Sequence, residues 1–197
     1  MQKIRGSKIA LIPQDPMTSL NPLYTIGNQL LEIIDSKNAY EKAIEALKQV
    51  KIPCPETRFN SYPHEFSGGM KQRAIIAMGL VCNAEVLIAD EPTTALDVTI
   101  QAQIMKILRE IKEKTAILLI THDLALVGEN ADNVAVMYAG HIVERAHAQE
   151  FLKSPNHPYS KALLEAIPSE NKLEAIEGQP PTIKQKIWKR CRKFNHE

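Results

Sequence analysis

The sequence predicts an α/β fold built on a parallel sheet, and three observations carry that reading. VLIAD (86–90), AILLI (116–120) and VAVMY (134–138) are short apolar runs of the kind that make strands buried on both faces of such a sheet. Between the first two, Ile100, Ile104, Ile107, Leu108 and Ile111 recur at helical spacing, opposite Lys106, Glu110 and Lys114. Strand, helix, strand in sequence is the α/β order.

The remaining elements follow in turn. Lys8–Ile12 (KIALI) is a β-branched strand stopped by Pro13, and 14–22, with its two prolines, reads as loop. Ile26, Leu30, Ile33 and Ile34, then Ile44 and Leu47, mark two helices. A loop over 52–66 follows, and Ser67 is placed to N-cap a helix running through AIIAMGLVC (74–82). Beyond residue 150 come short helices (AQEFLKS, HPYSKALLEAI) and a proline-containing tail. Its last stretch, Ile183–Glu197, holds six Lys/Arg against one acidic residue, which suits a solvated tail or a contact to phospholipid or protein.

Composition narrows the class. With 44% hydrophobic and 24% charged residues the chain is globular in type, and a net charge of +1 gives no global pull toward nucleic acid. Three widely spaced cysteines, Cys54, Cys82 and Cys191, predict neither a disulfide framework nor a zinc site, and fit a reducing cytosol. The apolar run at Ile75–Cys82 is far below the roughly 20 residues of a membrane span. The four-residue core IALI is too short for a signal peptide. Work at a membrane would require another protein to bring the chain there.

Ligands in open parallel sheets gather beyond the carboxyl ends of the strands. VLIAD ends in Asp90 and Glu91, and AILLI leads into Thr121, His122 and Asp123, so one rim gathers carboxylates and an imidazole. Asp90 fits a Mg²⁺-holding carboxylate and Glu91 a group that polarises water for attack on phosphorus, although a strand-end cap looks the same. Ser67-Gly68-Gly69 opens a helix whose backbone N–H groups could approach an anion, or is a flexible turn. His122 alone would be an ordinary polar residue. The ordered set of Gln14, SGG, DE, ALD and His is what points to function.

That set resembles an ABC-transporter ATPase subunit, more narrowly the oligopeptide/dipeptide/nickel importer ATPases. FSGGMKQR is similar to the signature motif, VLIADEP to the Walker B segment, TALD to the D-loop, ITHD to the switch-histidine segment and IPQDPMTSLNP to the Q-loop. HPYSKALLEAIP and EGQPP resemble the family's C-terminal extension. The resemblance runs from Arg5 to about Pro181.

It implies ATP and Mg²⁺ as cofactors. Gln14 would coordinate Mg²⁺ and sense the membrane partner, Asp90 would hold Mg²⁺ through water, Glu91 would be the general base, and His122 would contact the γ-phosphate. Ser67, Gly68 and Gly69 would touch the nucleotide of an opposed subunit, and Asp97 would connect the two sites. The implied partners are transmembrane permease subunits and a second ATPase subunit, with no nucleic acid, at the cytoplasmic face of the membrane. The implied organisation is strand and Q-loop entry over 1–14, helical subdomain over 15–82, catalytic core over 83–150 and extension with basic tail over 151–197.

The phosphate loop GxxxxGK[ST] does not occur in these 197 residues. The resemblance therefore implies an incomplete P-loop-NTPase-type domain, truncated or split, that needs a P-loop-bearing chain to act. In the family fold the P-loop strand lies between the Walker B and histidine strands. Without it those strands would be left with open edges and a poorly stable chain, unless they close on each other or a complementary fragment fills the gap. Alternatives are an inactive subunit that donates SGG and Asp97 to a partner's site, a relic, or a soluble ABC-type ATPase. With Cys191 the only tail cysteine, no iron–sulfur cluster is expected.

Overall fold

Strands β1 (Ile9–Ile12), β2 (Val86–Asp90) and β3 (Ala116–Ile120) form a parallel sheet in that order in the computed structural model, which describes residues 4–94 and 96–167. In register, Leu11 lies beside Ile88 and Ile88 beside Leu118. The expected gap between the Walker B and histidine strands is closed, because β2 pairs directly with β3 over the whole length of both.

The β1–β2 crossover holds α1 (Pro16–Ser19), α2 (Ile26–Ile33), α3 (Ala39–Gln49), α4 (Pro55–Arg58) and α5 (Gly68–Val81). Two stretches expected as loop carry short helical turns. Asp15 accepts the N–H of Met17 with Pro16 fixing the first helical φ, and Pro55 similarly opens α4. Ser67 caps α5 as expected, its hydroxyl accepting from the Met70 N–H at 3.3 Å. The β2–β3 crossover is α6 (Val98–Ile111), which buries Ile104, Met105, Ile107 and Leu108.

Two right-handed crossovers stepping the same way across a parallel sheet lie on one face. α5 covers that face, where a Cβ on Gly79 would come 3.1 Å from Leu87 Cδ1. Ala10, Ile12, Leu87 and Ala89 are accordingly buried. The other face is not. Leu11 is 58%, Leu118 53% and Ile120 44% exposed, so burial on both faces, expected from the apolar runs, holds on one.

A second unit begins at Asp123. It contains α7 (Leu124–Asn130), β4 (Asn133–Tyr138), β5 (His141–His147), α8 (Ala148–Lys153) and α9 (Pro158–Glu165). VAVMY does form a strand, but in an antiparallel hairpin rather than the parallel sheet. The cause is the two-residue connection Ala139-Gly140, both at positive φ (48° and 81°), which returns the chain beside itself. Buried Glu144 on β5 accepts the backbone N–H groups of Asn156 (2.7 Å) and His157 (3.0 Å), fixing the entry to α9. Burial pushes its carboxyl up, but hydrogen bonding, led by the Asn156 N–H, holds it below its ordinary value. EGQPP and the basic tail lie outside the described residues.

Candidate functional site at the strand ends

Three parallel strands stop at one rim, and the residues that follow them meet there. Gln14 follows β1, Glu91 follows β2 and His122 follows β3. Glu91 Oε1 lies 3.0 Å from His122 Nδ1, and Glu91 Oε2 accepts from Gln14 Nε2 at 2.7 Å and from the Thr94 hydroxyl at 2.9 Å. An ionised carboxylate only accepts, so the proton of the imidazole bond sits on Nδ1 and leaves Nε2 as the nitrogen this bond does not use.

The backbone is built for this convergence. Glu91 sits at φ 45°, a left-handed conformation that costs a non-glycine residue about 1–3 kcal/mol. Its N–H donates to Ile120 O at 2.9 Å, and its carbonyl accepts the Thr94 N–H at 3.1 Å. The turn is thus pinned to β3 on one side and closed on itself on the other. Buried Pro92 and Thr93 seat it, and Gln101 Nε2 donates to Thr93 O at 3.3 Å. The bonds from His122 and then Thr94 lower the Glu91 carboxyl from its ordinary value; burial opposes them, while the charge of His122 and the amide of Gln14 add to them. Glu91 is therefore an ionised acceptor at neutral pH, with its side chain 25% exposed and that of His122 74% exposed. Asp90 occupies the last position of β2, level with Ile120.

The glycine-containing turn belongs to a second cluster. Ser67 caps α5, and Gly68 and Gly69 form its first turn against α6. A Cβ on Gly69 would stand 2.5 Å from Ile100 Cγ2, and one on Gly68 3.7 Å from Leu96 Cδ2. Asp97 caps α6, its Oδ1 accepting the Ile100 N–H at 2.9 Å. Gly68 and Gly69 thus lie against Leu96 and Ile100, on either side of Asp97 in sequence, while Gln14, Glu91 and His122 share one carboxylate.

Two contributors escaped the sequence reading. Thr94 is one; a hydroxyl three residues after an acidic residue in a turn was the available signal. Arg73 is the other. Its Nε donates to Gly69 O (3.2 Å) and one terminal nitrogen to Lys51 O (2.9 Å), tying the first turn of α5 to the end of α3. Burial lowers its pKa from the ordinary value, and no sequence pattern announces that role.

The parallel sheet that carries this carboxylate, imidazole and amide at its strand ends has the fold of ABC-type ATPase domains. The ATP-binding cassette MJ0796, solved as a dimer bound to ADP and Pi, superposes with a TM-score of 0.64 at 25% identity, over 75% of this chain and 66% of that one. The cbiO1 protein of Clostridium perfringens, part of the ABC transporter complex cbiONQ, gives a TM-score of 0.66 at 30% identity, over 76% and 61%.

The family model for ABC transporters matches residues 1–94, and that for the oligopeptide/dipeptide transporter C-terminal region matches 143–194. The oligopeptide transport ATP-binding protein OppD of Bacillus subtilis is 50% identical over 93% of this chain and 55% of its own length. The dipeptide transport ATP-binding protein DppD of Escherichia coli is 50% identical over 89% and 58%. The chain is thus similar to the ATP-binding proteins of oligopeptide and dipeptide ABC transporters. It spans 55–60% of the length of these and similar curated relatives.

Proposed function

We propose that this chain is an ATP-binding and hydrolysing component of an ABC importer for peptides or related small solutes, working with permease subunits and a second ATPase subunit. The observation that carries the reading is the convergence of Gln14, Glu91 and His122 from three strand ends on one carboxylate. Such a group can orient and deprotonate water beside a phosphoryl centre. The ionised state of Glu91 supports its role as general base, and exposed His122 supports contact with a terminal phosphate.

Asp90 and the Gln14 carbonyl oxygen are hard oxygen donors next to that carboxylate and fit Mg²⁺. Among the described residues no cluster of three or more His, Cys, Asp and Glu could hold a metal, which suits a cation that leans on nucleotide phosphates for its other ligands. When bound, Mg²⁺ would neutralise phosphate charge. Ser67, Gly68 and Gly69, at the start of a 14-residue helix, would face the nucleotide of an opposed subunit, and Asp97 would couple the two sites. With no GxxxxGK[ST] in these residues, a P-loop outside them would cradle the remaining phosphates. No helix among the described residues is long and apolar enough to cross a membrane, so attachment to its cytoplasmic face would run through the permease. The match to the importer-type C-terminal region favours this reading over a soluble ABC-type ATPase.

The test is Mg-ATP binding and turnover by the purified chain, alone and mixed with a P-loop-bearing partner. Turnover that appears in the mixture and disappears with Glu91→Gln is the expected result. Turnover in the mixture that survives Glu91→Gln but needs Ser67 would instead make the chain a non-catalytic donor of its signature turn. Absence of both binding and turnover would end the ATPase reading.

A further inference from the structure

We infer that Thr94 is a positioning residue for the Glu91 carboxylate, an inference that rests on the reading of Glu91 as the base. Three donors reach this carboxylate, and they differ in what they belong to. Gln14 and His122 arrive from the ends of other strands, so each can leave when its own segment moves. Thr94 sits in the same turn as Glu91. Its N–H closes that turn on the Glu91 carbonyl at 3.1 Å, and its half-buried hydroxyl reaches Oε2 at 2.9 Å. The hydroxyl and the carboxylate therefore move as one piece.

The geometry gives this bond a specific task. Glu91 lies at φ 45°, where its side chain leaves the strand direction. Of its two carboxylate oxygens, Oε2 is shared by Thr94 and Gln14, and Oε1 is turned toward His122. Fixing Oε2 from within the turn sets which way Oε1 points. Thr94 thereby keeps Oε1 on His122 when Gln14 is withdrawn, and holds the carboxylate pointed outward if His122 is drawn to a phosphate.

The deciding measurement needs no turnover. Nitrogen-15 NMR of His122 in the full chain, at one neutral pH, reads the proton on Nδ1 that the Glu91 bond favours. Thr94→Val and Thr94→Ala are expected to shift the ring nitrogens toward the tautomer mixture of free imidazole, and Thr94→Ser, which restores the hydroxyl, to return them. Backbone amide spectra of α5 and α6 should not change, which separates positioning from general loosening. Unchanged His122 signals in both the Val and Ala variants would overturn the assignment, as would a shift that Thr94→Ser fails to reverse. In an assembly that hydrolyses ATP, the same variants should lower kcat with KM preserved. Turnover missing even with native Thr94 would count against the ATPase reading, while the His122 spectra would still decide the role of Thr94.

Discussion

Gln14 and Glu91, on neighbouring strand ends and 77 positions apart, are joined by a 2.7 Å hydrogen bond from amide to carboxylate. Gln14 therefore reaches Glu91 directly. Glu91→Gln is expected to lower ATP turnover of the assembled ATPase by about 10²–10⁴-fold, the usual contribution of a general base. Gln14→Ala leaves Thr94 on the carboxylate and should cost less. Single-turnover hydrolysis checks the order; equal losses would mean that Gln14 does more than orient Glu91.

Gly69 owes its identity to Ile100. Alanine normally favours a helix over glycine by about 1 kcal/mol, but here its methyl would come 2.5 Å from Ile100 Cγ2. Overpacking of this kind costs about 1–3 kcal/mol, so Gly69→Ala should destabilise in urea unfolding. The double variant Gly69→Ala, Ile100→Ala should recover part of the loss. Additive losses would show that the two positions do not meet.

Glu144 makes the second unit acid-sensitive. Its folded-state pKa is lowered, so its contribution is present above the unfolded carboxyl pKa and is lost as pH falls through the lower folded value. Wild-type stability should therefore drop on acidification below 4.5, the carboxyl's ordinary value, more steeply than that of Glu144→Gln. Glu144→Ala leaves the Asn156 and His157 N–H groups without their acceptor and should cost about 1–3 kcal/mol at neutral pH. Melting curves across pH measure both effects.

Much of this was legible in the chain, for identifiable reasons. Glu91 and His122 could be brought together from the sequence because both follow apolar runs, and parallel strands deliver their ends to one rim; Gln14 entered only through the family resemblance. Ser67 was legible as a short polar residue just before helical periodicity, whereas the Asp97 cap emerged only with the structure. Thr94 was not, since a side-chain bond within a turn leaves no periodic trace. VAVMY misled because five apolar residues specify a strand without specifying its partner; the Ala139-Gly140 turn decided that. The bare sheet face was also hidden, because strand composition reports a demand for cover and topology decides whether it is met.

That bare face should be detectable. Leu11, Ile88 and Leu118 form a continuous apolar row, and apolar surface of this kind binds hydrophobic dyes and promotes association. Leu118→Lys, at a position already 53% exposed, should reduce dye fluorescence and concentration-dependent light scattering with little change in melting temperature. A large fall in melting temperature would show that Leu118 is covered in solution.

The direct pairing of β2 with β3 sets up an exclusion. Neighbouring strands are about 4.8 Å apart, so a strand entering between these two would hold them about 9.6 Å apart. The Glu91 N–H would lose Ile120 O, and the 3.0 Å contact between Glu91 and His122 could not survive. Carboxylate and imidazole would then face each other across a slot of molecular width. Contact between these two side chains and an intervening strand are two settings of one latch.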